Sequence, residues 1–588
     1  MMIWGYLGLA ITYLTRFMLP AVHIILFIAF IFSGNSLFLL SLLVALFVNI
    51  ALYLIFNFKY EIISPVKNNM LKRNDSDVLL LMSPEEIKRS SFQNSFDAQD
   101  WSAAWINTLE QEVGYFSVSD RVMDMKRKNA IIVSSSMLGI EPAFIEKNAR
   151  KGKIIIVERP GQEITSYFGV YIKKNFRAKK ITSEFLKRAP LNCDFDIAYF
   201  KDFEILMEID KKPAIISRNI GKGKIIFILF GYSKQLVSLQ QGVPGDDYSV
   251  RHKYGLPGLI EPVDMLFSKE LLDNKIPYAD ILEKFVINLL DVPKWGKLPP
   301  NHESAIVLSH DEDYCNEQFI KMVEEEIKVG IHPTFFATPL KTNLIRYIKY
   351  MIKNNVDVGV HWDKFPNELF FRKNPSHDLS SQIKLLKTKV LSSRMHFLKW
   401  GSHYTNTFRL LARNEINIDS TYGANFGKGY AFSTSYFFHP VDTNGNLMPI
   451  LELPFEVMEK RGNADLSYIE DIIMENDKKY NGILCFNFHP GKYEHSKDFR
   501  KKIFELAVKN KILIFSLKEC YNFHNDRLKS SIKTSGNKIA INAKTKLKLI
   551  LPKHIKKIKM DGKDMPVNRM ESSFGIVVNV GKHILYTK

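Results

Sequence analysis

Twenty uncharged, mostly apolar residues follow one another near the start of this chain. The run covers residues 37–56 and reads LFLLSLLVALFVNIALYLIF. A helix of about this length crosses the ~30 Å hydrocarbon core of a bilayer, and in lipid a helix satisfies all of its own backbone polar groups. The run therefore predicts a transmembrane helix.

A second apolar run, at about residues 17–33, precedes the first and carries Pro20 and His23. A short polar joint, Ser-Gly-Asn-Ser at 33–36, connects the two runs and is typical of a hairpin between spans. No basic n-region precedes the apolar run, as a cleaved signal peptide would require. Residues 1–60 are therefore predicted to be a multi-pass membrane anchor.

The side of the membrane that the rest of the chain occupies stays open. Two spans return the chain to its starting side, and the basic residues after the second span, among them Lys59 and Lys67, favour the cytoplasm. A third span within residues 1–15 would reverse this orientation. A surface glycan as substrate would require an extracytoplasmic location.

Charge and cysteine content exclude some classes of protein. The chain has 81 Lys+Arg and 62 Asp+Glu, a net charge of +19 that favours anionic surroundings. No long basic block occurs, so we expect no nucleic-acid partner. The four cysteines stand far apart without a C-x-x-C, which excludes a disulfide scaffold and a cysteine-built zinc site.

Residues 77–292 alternate apolar, strand-like runs with helical patterns. The strand-like runs are 78–82, 130–134, 153–158 and 224–231, and the clearest helical pattern is 141–152, which ends at a glycine. This alternation predicts α/β layering. The helix that ends in glycine before a strand, and the later G-K-G-K hairpin at 221–224, resemble a class I glutamine amidotransferase-like domain, assigned to residues 77–297.

An active amidotransferase of that kind needs a cysteine at a strand-to-helix elbow, with a histidine partner. The elbow-like site after 130–133 offers Ser134, Ser135 and Ser136, and Cys193 lies in a different stretch. We therefore expect this domain to be non-catalytic, with a structural or ligand-binding role.

Residues 298–527 repeat a strand-then-helix pattern, which predicts a parallel barrel or a wound sheet. The strand-like runs are 305–310, 332–337, 356–361, 416–421, 483–489 and 512–516. Residues 528–588 change to period-two alternation around an Asp561-Gly562 turn and predict a small antiparallel, β-sandwich-like module.

Polar residues end several of the barrel's apolar strands, namely Asp311, Asp313, His361, Asp419 and His489. In a parallel barrel such residues share one mouth. Asp311 and Asp313 project to the same side of an extended chain, because side chains alternate with period two. One carboxylate can then bind a metal ion while the other removes a proton from water. Asp419 is expected to support a loop.

Several segments resemble motifs of the polysaccharide deacetylase family, the NodB-like carbohydrate esterases of family 4. SHDEDY at 309–314 is similar to the spaced D-x-D form of its first motif, and DVGVH at 357–361 resembles its histidine motif. GIHPTFF at 330–336 and NFHPG at 487–491 occur in the expected order. The resemblance spans about residues 302–525 and implies a distorted (β/α) barrel.

The resemblance also implies roles for the candidate residues. Asp311 would be the catalytic base, Arg394 would orient it, and His489 would be the catalytic acid. Asp313 and His361 would bind a divalent metal, with zinc as the expected ion. The family's second histidine, four residues after His361, is replaced here by a phenylalanine, Phe365. The third ligand stays open among Asp363, His377, His396 and His403.

These observations lead to one functional hypothesis and two alternatives. The first is a membrane-anchored, metal-dependent deacetylase that removes N-acetyl groups from a cell-surface or exported polysaccharide, with other surface-polysaccharide proteins as candidate partners. The second, motivated by Phe365 and by the absence of an elbow cysteine in the amidotransferase-like domain, is a catalytically inactive glycan-binding or assembly component of polysaccharide biosynthesis. The third is a glycoside hydrolase, since paired carboxylates on a barrel also suit that chemistry.

Overall fold

The computed structural model describes most of the chain after the predicted membrane anchor. The described residues are 76–82, 101–137, 139–176, 180–181, 186, 189–193, 195–243, 250–256, 259–313, 317–338, 344–362, 375–401, 403–459, 465–552, 554–555, 557–565, 568–570 and 573–587. The predicted spans at 17–33 and 37–56 lie outside this set. Within it, no helix combines the length and the apolar character needed to cross a membrane.

The first unit is an α/β domain. Its strands are β1 (Val78–Leu81), β2 (Ser117–Ser119), β3 (Ala130–Val133), β4 (Ile154–Glu158), β5 (Val170–Phe176), β6 (Lys180–Ile181), β7 (Ala189–Pro190), β8 (Phe195–Phe200), β9 (Glu204–Ile209), β10 (Lys212–Ile220) and β11 (Gly223–Ile228). Its helices are α1 (Ala104–Glu112), α2 (Pro142–Arg150), α3 (Gln162–Tyr167), α4 (Tyr232–Gln240) and α5 (Tyr278–Asn288), with 3₁₀ turns at Val122–Arg127, Pro262–Met265 and Lys269–Leu271.

The main sheet of this domain has, in the described residues, seven strands in the order β2-β1-β3-β4-β11-β10-β9. Neighbours from β2 to β11 are parallel, and β10 and β9 continue the sheet antiparallel. The central strands are continuous apolar runs because helices cover both faces of a parallel sheet of this kind. The predicted strands at 78–82, 130–134, 153–158 and 224–231 are confirmed. Two antiparallel strand pairs, β5·β8 and β6·β7, have no counterpart in the sequence pattern.

The second unit is a parallel sheet with helices outside it. A short strand, β12 (Lys294–Trp295), precedes it. Its strands are β13 (Ala305–Glu312), β14 (Thr334–Ala337), β15 (Asp357–Trp362), β16 (Ser392–Met395), β17 (Ile418–Asp419), β18 (Leu451–Glu452), β19 (Val457–Met458), β20 (Ile483–Phe488) and β21 (Leu513–Phe515). Its helices are α6 (Glu317–Lys328), α7 (Leu344–Lys353), α8 (Pro375–Leu385), α9 (Asn406–Arg413), α10 (Leu466–Glu475), α11 (Tyr493–Asn510) and α12 (Leu517–Leu528).

This parallel sheet curls nearly into a barrel. Its order is β18-β17-β16-β15-β14-β13-β20-β19, with β21 also paired to β13. The two edge strands, β18 and β19, are joined by residues 453–456 alone. Four residues span at most ~17 Å between the strand ends, so the edges of the sheet must approach each other. The predicted α/β class and barrel-like sheet are confirmed, whereas the strand expected at 416–421 is only two residues long.

The C-terminal module consists of two antiparallel sheets. Its strands are β22 (Ser531–Ser535), β23 (Lys538–Ala543), β24 (Leu547–Leu551), β25 (Ile558–Met560), β26 (Lys563–Asp564), β27 (Asn568–Met570), β28 (Ser573–Val578) and β29 (Gly581–Thr587). One sheet has the order β22-β23-β29-β25-β26 and the other β12-β24-β28-β27. Because β12 comes from the linker before the barrel, the module is tied to the rest of the chain by backbone hydrogen bonds.

Arg527, near the end of α12, ties these units together. Its side chain has no solvent exposure. It donates to the carbonyl oxygens of Glu110 and of Gln111, the latter at 2.9 Å, in the first domain. It also donates to the carbonyl oxygens of Gly296 (2.8 Å) and Trp295 (3.0 Å) in the linker. One buried guanidinium thus satisfies four backbone acceptors at the junction.

Replacing Arg527 with alanine should destabilise the protein by about 3 kcal/mol or more, because it would leave these buried acceptors without a donor. The midpoint of urea-induced unfolding measures this effect. Lys529→Ala is a matched control, since the Lys529 side chain is 68% exposed. Equal midpoints for the two variants would contradict the proposed role of Arg527.

Candidate metal centre and catalytic site

The carboxyl ends of the parallel strands bring the predicted site residues together. Asp311 is the penultimate residue of β13, and Asp313 follows that strand. His361 on β15 is in register with Arg394 on β16. His489 directly follows β20. All five side chains lie at the same end of the barrel, as the geometry of parallel strands requires.

Asp311 is buried and held from two sides. Arg394 Nη1 lies 3.1 Å from Asp311 Oδ1, and Asn487 Nδ2 donates to Asp311 Oδ2 at 2.7 Å. Burial by itself would raise the pKa of Asp311, but the positive charge of Arg394, together with the smaller effects of the two histidines and the hydrogen bond from Asn487, outweighs it and holds that pKa below its ordinary value. The carboxylate is therefore ionised at neutral pH and can accept a proton.

Arg394 is buried without exposure and is fixed at every nitrogen. Its Nε donates to the Ser420 carbonyl oxygen (2.7 Å), Nη1 to Ser309 Oγ (2.8 Å) and Nη2 to Ser420 Oγ (2.8 Å). The guanidinium also lies 4.5 Å from the centroid of the Phe336 ring. A Cβ at Gly359 would come within 2.6 Å of that ring, so glycine on β15 makes room for it. The orientation of Arg394 is therefore set by its surroundings.

Asp313, His361 and His396 form a cluster suited to a metal ion. One ligand atom from each lies within 4.8 Å of the other two. Asp313 Oδ1 is 3.5 Å from His361 Nε2 and 3.2 Å from His396 Nε2. Ligands about 2.0–2.1 Å from an ion at tetrahedral angles lie ~3.4 Å apart. These separations fit three ligands around one ion.

The orientation of His361 leaves its Nε2 available to a metal. His361 Nδ1 lies 3.0 Å from the carbonyl oxygen of Arg394. A carbonyl oxygen only accepts, so Nδ1 carries the hydrogen and Nε2 of the neutral ring presents its lone pair. Among the described residues, neither His361 Nε2 nor Asp313 Oδ1 has a hydrogen-bond partner of standard geometry, although both atoms are buried. Two orphaned atoms facing each other fit a cation between them.

The electrostatics of Asp313 also suit a ligand. Burial raises its pKa, but the imidazoles of His361 and His396 and the charge of His489 outweigh burial and place the pKa well below its ordinary value. The carboxylate is thus ionised and ready to bind. One carboxylate oxygen and two imidazole nitrogens are donors that zinc and other divalent transition metals accept.

His489 is oriented by a residue that the sequence did not single out, Glu459. Its Nδ1 lies 2.8 Å from Glu459 Oε1, and its Nε2 lies 3.9 Å from both Asp311 Oδ2 and Asp313 Oδ2. Burial lowers the pKa of His489, but Glu459 and the two aspartates outweigh it and raise that pKa above its ordinary value. Lys492 Nζ is 3.1 Å from Glu459 Oε1, and the pKa of Glu459 is lowered. These contacts therefore favour the protonated form of His489.

Of the four candidates for the third metal ligand, the structure brings one, His396, to the cluster. His403 is not part of it; its Nδ1 accepts from the Thr405 backbone N–H at 3.3 Å. Asp363, like Phe365, lies outside the described residues, and nothing is described of the His377 side chain.

Two functional contacts were missed from the sequence. Asn487 lies two residues before His489 on a strand, so the period-two rule that paired the two aspartates also places Asn487 on the side of the mouth. Glu459 follows the two-residue strand β19, which is too short to give a periodic signal. Asp419 is buried and accepts from Ser393 Oγ at 2.6 Å, which fits the expected supporting position.

The elbow of the first domain carries a small hydroxyl cluster. Ser134 Oγ lies 2.8 Å from Ser136 Oγ, and Ser135 Oγ lies 3.2 Å from Ser102 Oγ. Cys193 is buried next to Gly231, where a Cβ would lie 3.4 Å from the cysteine Cβ. The expectation that this domain is non-catalytic stays a prediction.

Comparisons with known proteins give similarity over part of the chain. No protein-family model and no curated protein matches the sequence. Similar solved structures include a CE4 family pseudoenzyme from Bacillus anthracis, with 14% identity over 38% of this chain and 66% of that one, at a TM-score of 0.25. They also include the Bc1960 peptidoglycan N-acetylglucosamine deacetylase, with 11% identity over 38% of this chain and 90% of that one, at a TM-score of 0.26.

An exo-β-1,4-mannosidase from Opitutaceae bacterium strain TAV5 is also similar, with 14% identity over 21% of this chain and 25% of that one, at a TM-score of 0.19. The chain thus spans about two thirds of the pseudoenzyme and a quarter of the mannosidase. CE4 family deacetylases, which the sequence motifs resemble, are therefore among the structural neighbours of part of the chain. At these TM-scores the likeness does not bear on activity.

His396→Ala should weaken the binding of divalent metal by about 10-fold or more, because a three-ligand site would lose one ligand. Chelator competition with Zn²⁺ on the purified protein measures the affinity. His403→Ala is the matched control and should leave the affinity unchanged. Equal affinities for His396→Ala and the wild type would exclude His396 as a ligand.

Proposed function

We propose that this chain is a membrane-anchored, metal-dependent deacetylase that removes N-acetyl groups from a cell-surface or exported polysaccharide. The observation that carries the proposal is the convergence of a buried, arginine-paired aspartate, a three-ligand cluster and a histidine at one barrel mouth. Asp311 would be the base, Asp313, His361 and His396 would hold the metal, and His489 would be the acid.

The residues would divide the chemistry of amide hydrolysis between them. A divalent ion, with zinc as the expected one, supplies Lewis acidity that lowers the pKa of water and polarises the amide carbonyl. Asp311, kept ionised by Arg394, accepts the proton of the attacking water. Arg394 and Asn487 prevent the carboxylate from turning away. Protein groups alone thus hold the carboxylate in position.

His489 would complete the reaction by donating a proton to the departing amine. Glu459 Oε1 lies 2.8 Å from Nδ1 of this ring, and Nε2 lies 3.9 Å from a carboxylate oxygen of each aspartate. Its raised pKa favours the protonated form of the ring, which is the form that can donate. The products would be acetate and a free amino sugar.

An exposed aromatic side chain lies beside the metal cluster. Phe397 is 42% exposed, and its ring centroid lies 4.1 Å from that of the cluster residue His396. In this proposal a sugar ring of the substrate would pack against it. The N-terminal apolar runs would anchor the enzyme to the membrane, and a surface glycan would place the site on the extracytoplasmic side, with other surface-polysaccharide proteins as partners.

Two alternatives make different predictions. A non-catalytic glycan-binding component was motivated by Phe365, but His396 offers a third donor from another part of the chain. A glycoside hydrolase needs one carboxylic acid with a raised pKa as proton donor. The pKa values of Asp311 and Asp313 are both lowered, which favours the deacetylase.

Purified protein loaded with Zn²⁺ should release acetate from N-acetylglucosamine oligomers, and Asp311→Asn should lower kcat by about 10²-fold or more, because the base is lost. Acetate is measured directly, and reducing ends are measured in parallel. Chelation should abolish acetate release. Sugar binding without acetate release, unaffected by chelators, would support the non-catalytic alternative, and new reducing ends would support the hydrolase.

Glu459→Gln should move the alkaline limb of the kcat profile to lower pH. Glu459 raises the pKa of His489, so the donor stays protonated to a higher pH, and activity is lost as pH rises through that pKa. Without the negative charge the loss begins earlier. The dependence of kcat on pH for both proteins checks this, and an unchanged alkaline limb would rule out His489 as the acid that Glu459 tunes.

A further inference from the structure

A loop of the first domain reaches the barrel beside the metal cluster. This clamp loop consists of the described residues 250–256 and 259–266. Asp264 organises it: Oδ1 accepts from the backbone N–H groups of Lys253, Tyr254 and Gly255 at 2.6, 2.7 and 3.0 Å, and Oδ2 accepts from that of Glu261 at 2.9 Å. Four backbone bonds to one buried carboxylate give the loop a defined shape.

Two groups of the clamp loop bind the barrel. The carbonyl oxygen of Ile260 accepts from the Trp400 backbone N–H at 2.7 Å. Glu261, which is fully buried, accepts from the Leu256 backbone N–H at 2.6 Å and from both the side chain and the backbone of Asn425. Asn425 Nδ2 in turn donates to the carbonyl oxygen of Phe397 at 3.1 Å. The loop therefore contacts Trp400 directly and Phe397 through Asn425.

These contacts surround the segment that carries the third ligand. His396 begins a 3₁₀ turn, and the next two residues, Phe397 and Leu398, have positive φ values of 55° and 54°. Bulky residues rarely adopt this left-handed region, because the Cβ crowds the backbone. Such a conformation persists where neighbouring groups impose it. Asn425 and the clamp loop are among the groups outside the segment that hold the backbone of Phe397 and Trp400.

A second tether follows the same segment. Tyr404 Oη donates to the carbonyl oxygen of Gly242, in the first domain, at 3.1 Å. Trp400 is buried, with its ring 4.7 Å from Phe408 and 5.3 Å from Tyr422 between centroids. The barrel thus packs the side chain of Trp400, while the first domain fixes its backbone.

We propose that the amidotransferase-like domain positions the third metal ligand, with Glu261 acting through Asn425 on the His396–Trp400 segment. The proposal rests on the metal site proposed above and gives the first domain a role in it. Glu261 is a positioning residue, because it contacts neither the ligand nor the reacting atoms. Loss of Glu261 would let the segment relax and His396 leave the cluster.

The test measures Zn²⁺ affinity of the full chain by chelator competition at pH 8. Burial raises the pKa of Glu261 to about 7, so the carboxylate is mostly ionised at this pH. Glu261→Ala should weaken Zn²⁺ binding by about 10- to 100-fold, the range for loss of a group that orients a ligand. Glu261→Gln should restore part of the affinity, because its amide oxygen can still accept from Asn425.

Two further variants separate positioning from general destabilisation. Glu283→Ala removes another fully buried glutamate of the same domain, which accepts from Thr108 Oγ1 at 3.1 Å. It should lower Tm without changing Zn²⁺ affinity. In a His396→Ala background, Glu261→Ala should cause no further loss of affinity, because the ligand it positions is absent.

Each outcome has a distinct meaning. A wild-type chain that binds no Zn²⁺ would overturn the proposed metal-dependent function and this inference with it. Wild-type binding that Glu261→Ala leaves unchanged would overturn only the inference. An equal loss from Glu283→Ala, or a further loss in the His396→Ala background, would show that Glu261 does not act through His396.

Discussion

The buried guanidinium of Arg394 is the contact on which the rest of the site depends. A charge without solvent exposure is costly unless it is paired and fully hydrogen-bonded. Arg394 meets this condition by binding Asp311 and Ser309 on β13 and Ser420, which directly follows β17. The same bonds that satisfy the arginine fix the carboxylate and keep it ionised. One set of hydrogen bonds thus both stabilises the buried arginine and holds Asp311 as an ionised base.

The other side chains of the site are oriented in the same way, each by a group behind it. The Arg394 carbonyl turns His361 Nε2 toward Asp313, and Glu459 turns His489 Nε2 toward the two aspartates. Hydrogen bonds and ion pairs within the protein itself set these orientations. A preorganised site of this kind spends little binding energy on rearrangement. This is consistent with a hydrolytic role and is more than a glycan-binding surface needs.

Site residues can be predicted from the sequence where they follow from the pattern of a nearby strand. Asp311, Asp313, His361 and His489 could be identified because apolar strands end beside them and because parallel strands share one mouth. His396 could only be named among alternatives, since it lies on a turn whose backbone is set by contacts from residues far along the chain. Glu459 follows a strand too short to show periodicity. Contacts between domains, such as that of Glu261 with Asn425, leave no pattern in the local sequence, because they depend on how the first domain packs against the barrel.

The central claim is that Asp313, His361 and His396 bind one divalent ion at the mouth of the barrel. X-ray absorption spectroscopy of the Zn²⁺-loaded protein tests it most directly, because the spectrum reports the number and type of ligand atoms. The account predicts one zinc per chain, with two imidazole nitrogens at about 2.0–2.1 Å, oxygen in the remaining positions and no sulfur. A spectrum with fewer than two imidazoles, or with a sulfur ligand, would contradict it.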